Sequence, residues 1–240
     1  MTPSESITDV LSILQKRFPG KGAMEIGTPY QNLVAVMLSA RTRDEQVLKL
    51  LPAFFVCFPT IESLAQAKVE EIISKVNTIG MYRQKAKFLH IMAKDVIRKF
   101  NGEIPHTMEE LVSLAGVGRK TASVVLVISF GKKAIAVDTH VHRVTNRLGW
   151  VKTTHPEKTE KALLTLIPKK WHQVVNRVFV KHGRYICLPG KPRCFVCPIR
   201  NHCAYLSKTI LSPSPEALKR LEEEIERREK IVTYLRESLS

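Results

Sequence analysis

The chain contains no uninterrupted apolar run of the about 18 residues that a membrane-spanning helix requires. Its first stretch, Met1 to Asp9, lacks the basic-then-apolar layout of a secretory leader. These absences argue against a membrane partner and predict a cytoplasmic protein, nucleoid-associated if the cell is prokaryotic. Strand-type alternation of apolar and polar residues is missing too, which excludes a sheet-based fold. The remaining shortage is of acid. Only 22 Asp and Glu face 38 Lys and Arg, for a net charge of +16. A field of that sign favours a polyanion, and nucleic acid is the commonest one. The imbalance is local: residues 212–240 hold six basic and seven acidic residues, so the body carries the whole excess.

What is present is helical periodicity over a length that can bury a real core. Ile7, Val10, Leu11 and Leu14 make one helix face, stopped by Phe18-Pro-Gly20. Pro29 opens a second helix, and others are expected over 44–58, 60–67, 68–76, 82–100, 138–150, 156–167 and 170–186. Thr107-Met-Glu-Glu110 reads as a capping box. The helix over 120–130 is apolar nearly all round and belongs at the centre of an all-α fold. After a linker at Ser212-Pro-Ser-Pro215, Leu218, Leu221, Ile225, Val232, Leu235 and Leu239 recur at helical spacing, with Arg228 in one core slot. That tail either folds back on the body or offers a protein contact, and the body is expected to be monomeric.

Two motifs carry chemistry. In Leu114-Ala-Gly-Val-Gly-Arg-Lys-Thr-Ala122, Gly116 and Gly118 form a turn that opens a helix near Arg119. Backbone amides at such a helix start attract phosphate, and Lys120 there can place an amine beside a DNA sugar. Read alone, that lysine serves equally as a phosphate contact, and Asp138, in Val137-Asp-Thr-His-Val-His-Arg-Val144, as a helix N-cap. The second motif is Cys187, Cys194, Cys197 and Cys203, spaced C-x6-C-x2-C-x5-C. Clustered intracellular thiols point to metal, either zinc or an iron–sulfur cluster, and spacing does not choose between them. Cys57 stands apart and reads as a small buried apolar residue. Lys191 and Arg193, between the first two cysteines, are either solvated charges or cations held for phosphate.

Together these features resemble the endonuclease III family of DNA glycosylases, in the helix-hairpin-helix superfamily. Met37-Leu-Ser-Ala40 with Asp44, Gly80-Met-Tyr82 and Lys85-Ala86 extend the likeness to about residues 4–205. The resemblance implies a [4Fe-4S] cluster on the four cysteines. It also implies two domains: a six-helix barrel over 22–132 with the hairpin, and a cluster domain from 1–21 with 133–211. A DNA cleft would lie between them, with 212–240 as a charged amphipathic helix.

The activity implied is a bifunctional DNA glycosylase and AP lyase of base excision repair, acting on double-stranded DNA with a damaged base or abasic site. It removes oxidised pyrimidines and cuts 3′ to the abasic site by β-elimination. Such chemistry requires the nucleotide to be flipped from the stack. Lys120 would be the nucleophile, kept unprotonated by burial and the positive end of its helix, and Asp138 would assist it. Gly116, Gly118, Arg119, His140, Lys191 and Arg193 would hold DNA, and His142 is structural. Arg41, where many members have glutamine, would enter the gap left by the flipped base, with Met81 opposite; phosphate contact is the other reading of Arg41. Ala115 stands where the family usually has proline. The alternatives are a thymine-mismatch glycosylase on the same scaffold and a non-catalytic iron–sulfur DNA-binding protein. Retention of both Lys120 and Asp138 argues against the second.

Overall fold

The computed structural model describes residues 3–207 and 213–239, so Ser212 of the expected linker lies outside the described residues. Every regular element among them is helical, and none is long and apolar enough to cross a membrane. The chain divides into two compact units, residues 1–21 with 132–226, and residues 22–131 with 227–240.

The second unit holds α2 (Pro29–Ser39), α3 (Asp44–Cys57), α4 (Ile61–Gln66), α5 (Val69–Val76), α6 (Tyr82–Phe100), α7 (Met108–Val112) and α8 (Arg119–Phe130). Thr28 starts α2 through a complete capping box with Gln31, and Pro29 supplies the preset φ of a first helical position. At α7 the expected box is half formed. The Thr107 hydroxyl oxygen accepts from the Glu110 amide, but the Glu110 carboxylate turns to the Thr107 hydroxyl at 2.7 Å. Helix α8 packs on α2 and α7, and from Thr121 to Phe130 every residue is buried or half-buried. In α3 the buried stripe runs Val47, Leu51, Phe54 and then Phe58. That register leaves Val56 and Cys57 on the outer face, so Cys57 is exposed rather than buried as its apolar neighbourhood suggested.

The first unit is built on α1 (Pro3–Arg17), α9 (Thr139–Leu148), α10 (Pro156–Leu166) and α11 (His172–Tyr185), followed by the cysteine loop and the start of α12 (Pro215–Glu237). Ile7, Val10, Leu11 and Leu14 are all buried, joining Val141, Val144, Val178 and Phe179 in one core. Each such side chain contributes about 1.5–3 kcal/mol, enough to hold α1 against α11 although it is far away in sequence. The tail helix folds back: Leu221 and Ile225 belong to this same core, and Glu222 pairs with Arg17. Arg228, assigned to a core slot by its spacing, is exposed.

His142 sits as a structural residue, its Nδ1 2.7 Å from the Thr159 hydroxyl in a network with Asn146 and Thr153.

Candidate active site

In the second unit, the chain turns from α7 to α8 through Leu114 and Val117, both buried, which pin the hairpin from beneath. Gly116 has φ +75°, and a Cβ there would lie 2.7 Å from the Phe88 side chain. Backbone conformation and space both demand glycine. Gly116→Ala should therefore cost about 1–2 kcal/mol in left-handed strain alone, before the clash is relieved. Thermal unfolding checks this, and an unchanged midpoint contradicts it. Gly118, the α8 N-cap, has nothing within 4 Å of where a Cβ would sit, so its surface is bare toward solvent.

Arg119 and Lys120 are the first two residues of α8, and both are exposed. The expectation that Lys120 is buried fails for a geometric reason. Side chains of a first helical turn lean toward the N-terminus, where no preceding turn covers them.

Two further turns of this unit approach each other. Arg41 and Met81 are both exposed and both left-handed, with φ +55° and +59°. A Cβ on Gly80 would lie 3.9 Å from the Arg41 carbonyl oxygen.

In the first unit, Asp138 caps α9. Its Oδ1 accepts from the His140 and Val141 amides, each at 2.9 Å. One oxygen serves the cap, which fixes the direction of the half-buried carboxyl group. His140 is the second residue of the helix, held down by burial below its ordinary basicity against the opposing pull of Asp138. Its Nδ1 is 3.2 Å from Arg143 Nη2, and a ring hydrogen bond to the Gly183 backbone also pulls its basicity upward. A Cβ on Gly183 would sit 2.8 Å from that Nδ1, so the close approach of α11 to His140 needs glycine.

Arg143 had no role assigned from sequence. Its guanidinium donates to the carbonyl oxygens of Gly183 and Cys187, both at 2.9 Å, and so joins the Asp138 helix to the cysteine loop. Nothing in a lone arginine on a helix face signals this, because its partners come from 40 and 44 residues away.

The four cysteines come together around one pocket, with Arg147 and His182 beside them. Arg147 donates to Cys187 Sγ at 3.3 Å, and Cys197 Sγ lies 3.7 Å from His182 Nε2. Burial pushes the Cys197 thiol up to about 12, and Cys187, Cys203 and Cys194 push it the same way. Four thiols so placed ionise together only with a cation among them. Among the described residues, no three His, Cys, Asp or Glu are arranged to hold a single metal ion.

Lys191 is exposed in the loop, while Arg193 is half-buried. Its guanidinium donates to the Tyr185 carbonyl at 2.9 Å, closing one of the bare carbonyls at the end of α11. That bond draws it inward, so the sequence expectation of two presented cations is better met by Lys191.

Residues 34–169 match the model of the HhH-GPD superfamily base excision DNA repair proteins. Endonuclease III of Thermotoga maritima is 43% identical over 199 residues, covering 83% of this chain and 92% of that protein. This chain belongs to the endonuclease III family. A solved structure of a trapped endonuclease III–DNA covalent intermediate is 36% identical, with a TM-score of 0.78 over 85% of this chain and 97% of that one. A thermostable thymine-DNA glycosylase is more distant at 27% identity, with a TM-score of 0.75 over 85% and 95%. Within the family, Lys120 stands in the second unit and Asp138 in the first.

Proposed function

We propose that this enzyme removes oxidised pyrimidines from duplex DNA and cuts the strand 3′ to the resulting abasic site, with Lys120 as nucleophile. It is a base excision repair DNA glycosylase with AP lyase activity, and its partner is DNA. The observation that carries the assignment is a lysine on the first turn of α8, directly after the two-glycine turn, on the endonuclease III scaffold. The glycosylase step needs an amine lone pair at C1′. As it attacks, the C1′–N bond breaks and its electrons leave with the base, which takes up a proton. Opening of the C1′–O4′ bond gives the Schiff base. Loss of a C2′ proton then expels the 3′ phosphate, and water releases the lysine.

Asp138 assists by accepting a proton and facing the positive charge that develops on the sugar. The Gly116–Gly118 turn, the start of α8 at Arg119 and the exposed Lys191 supply phosphate contacts, and His140 adds a contact from the start of α9. Lys120 is exposed in the protein alone, so a flipped nucleotide can reach it.

Cys187, Cys194, Cys197 and Cys203 suit a [4Fe-4S] cluster. Their thiols surround one pocket, and the endonuclease III scaffold that carries them favours the cluster over zinc. Bound there, the cluster supplies iron–thiolate bonds that cross-link the loop. The side chains of Arg147 and His182 flank the sulfurs. Cys197→Ser should give protein without the brown cluster absorption and with loss of DNA affinity, read by absorbance and by a binding titration. A colourless wild-type protein containing one equivalent of zinc contradicts the cluster.

Incubation with duplexes bearing thymine glycol, an abasic site, 8-oxoguanine or a G·T mismatch, followed by borohydride trapping, tests the substrate assignment. Thymine glycol and abasic duplexes should be trapped. Trapping or excision confined to the G·T duplex instead supports the mismatch enzyme, whose known structure is the more distant match.

A further inference from the structure

Among the described residues, three other than glycine have positive φ: Arg41, Met81 and Asn101. Asparagine tolerates that conformation, whereas arginine and methionine carry about 1–2 kcal/mol of strain each. Such turns persist only where their surroundings hold them, and here one residue reaches both, through its backbone at Met81 and through its side chain at Arg41. The backbone amide of Lys85 donates to the Met81 carbonyl at 3.0 Å. Its Nζ donates to the Leu38 carbonyl at 2.9 Å and to the Thr42 hydroxyl at 2.7 Å, bracketing Arg41. The Leu38 carbonyl belongs to the last turn of α2, where the helix offers it no partner of its own. Thr42 is tied in turn to the Ala40 carbonyl at 3.5 Å, on the other side of Arg41.

Lys85 is itself only 8% exposed. A buried ammonium sacrifices hydration and is seldom kept without a task. Burial lowers its pKa, and the hydrogen bonds of its amine to the Leu38 carbonyl and the Thr42 hydroxyl offset that cost.

We propose that Lys85 is a positioning residue, its side chain clamping the Arg41 turn against the Met81 turn that opens its own helix, in the one geometry in which both enter the DNA gap. The proposal rests on the reading that these two residues fill the gap and meet the orphaned base. An arginine held in this way reads the opposite base through a fixed donor fork. Released from the clamp, it reaches phosphate and bases indiscriminately.

The test measures single-turnover lyase rates on abasic-site duplexes with each of the four bases opposite, which frees the result from the range of damaged bases. Lys85→Met keeps the stem and removes the donors. It should lower the rate roughly tenfold to a hundredfold, the scale of an ångström-sized misplacement, and shrink the spread among opposite bases to that of Arg41→Ala. Thr42→Val removes one acceptor alone, should shrink the spread less, and decides the matter if Lys85→Met does not fold. Leu89→Ala, a core truncation in the same helix, should lower the unfolding midpoint yet keep the full spread. If Arg41→Ala flattens the spread and the Lys85 and Thr42 variants keep it, the clamp is overturned while the gap reading stands. If Arg41→Ala itself keeps the spread, the gap reading falls and the clamp with it. Flattening by Leu89→Ala as complete as that by Lys85→Met also overturns the clamp, since loosening α6 anywhere would then suffice.

Discussion

Lys120→Gln should abolish strand cleavage and covalent trapping while the protein still binds duplex DNA. Removing a nucleophile typically costs about 10³-fold or more, so single-turnover cleavage on an abasic duplex should fall below detection. Glutamine keeps the length and the helix propensity of the exposed first turn of α8, so the unfolding midpoint should not move. The competing role of Lys120 is phosphate contact, and it makes the opposite forecast. One lost phosphate contact weakens binding evenly across sequences and lowers the salt slope by about 1, but leaves cleavage intact at saturating protein. Binding titrations at several salt concentrations, run beside the cleavage assay, separate the two.

Asp138→Asn should separate two functions that one side chain performs. Its Oδ1 accepts from the amides of His140 and Val141, and asparagine offers the same oxygen. Asparagine caps about as well as aspartate, and losing a negative charge at a helix start costs about 0.3–1 kcal/mol. The fold should therefore be nearly as stable. Excision should nevertheless fall by about 10²–10⁴, the usual contribution of a positioned proton-transfer group. Asp138→Ala should lose the activity and about 1 kcal/mol of the cap as well. A stable, fully active Asp138→Asn protein would show that Asp138 is only a cap.

The helices were legible because their signals are local. Pro29 after Thr28, the stop at Phe18-Pro-Gly20 and the apolar stripe of α1 all act within a turn or two of chain. The hairpin was legible because Gly116 must be glycine on backbone grounds alone, and the cysteine loop because its ligand types have few other uses. Cys57 misled because α3 is apolar on more than the face it buries, and only the register of Phe54 and Phe58 decides which. Arg193 misled because its partner is the Tyr185 carbonyl at the end of α11, a group that has no sequence signature. Lys85 was matched to the family but given no task, since both acceptors of its amine lie more than 40 residues away. Side chains that hold the site depend on long-range partners; side chains that do the chemistry are marked by the short motifs around them.

The central claim is that the amine of Lys120 forms the bond to the sugar. The most direct measurement traps the wild-type protein on an abasic duplex with borohydride, digests the adduct and locates the DNA-bearing residue by mass spectrometry. The account expects the adduct on Lys120 alone. An adduct on another lysine or on the N-terminal amine, or complete cleavage with no trapped adduct, would contradict it.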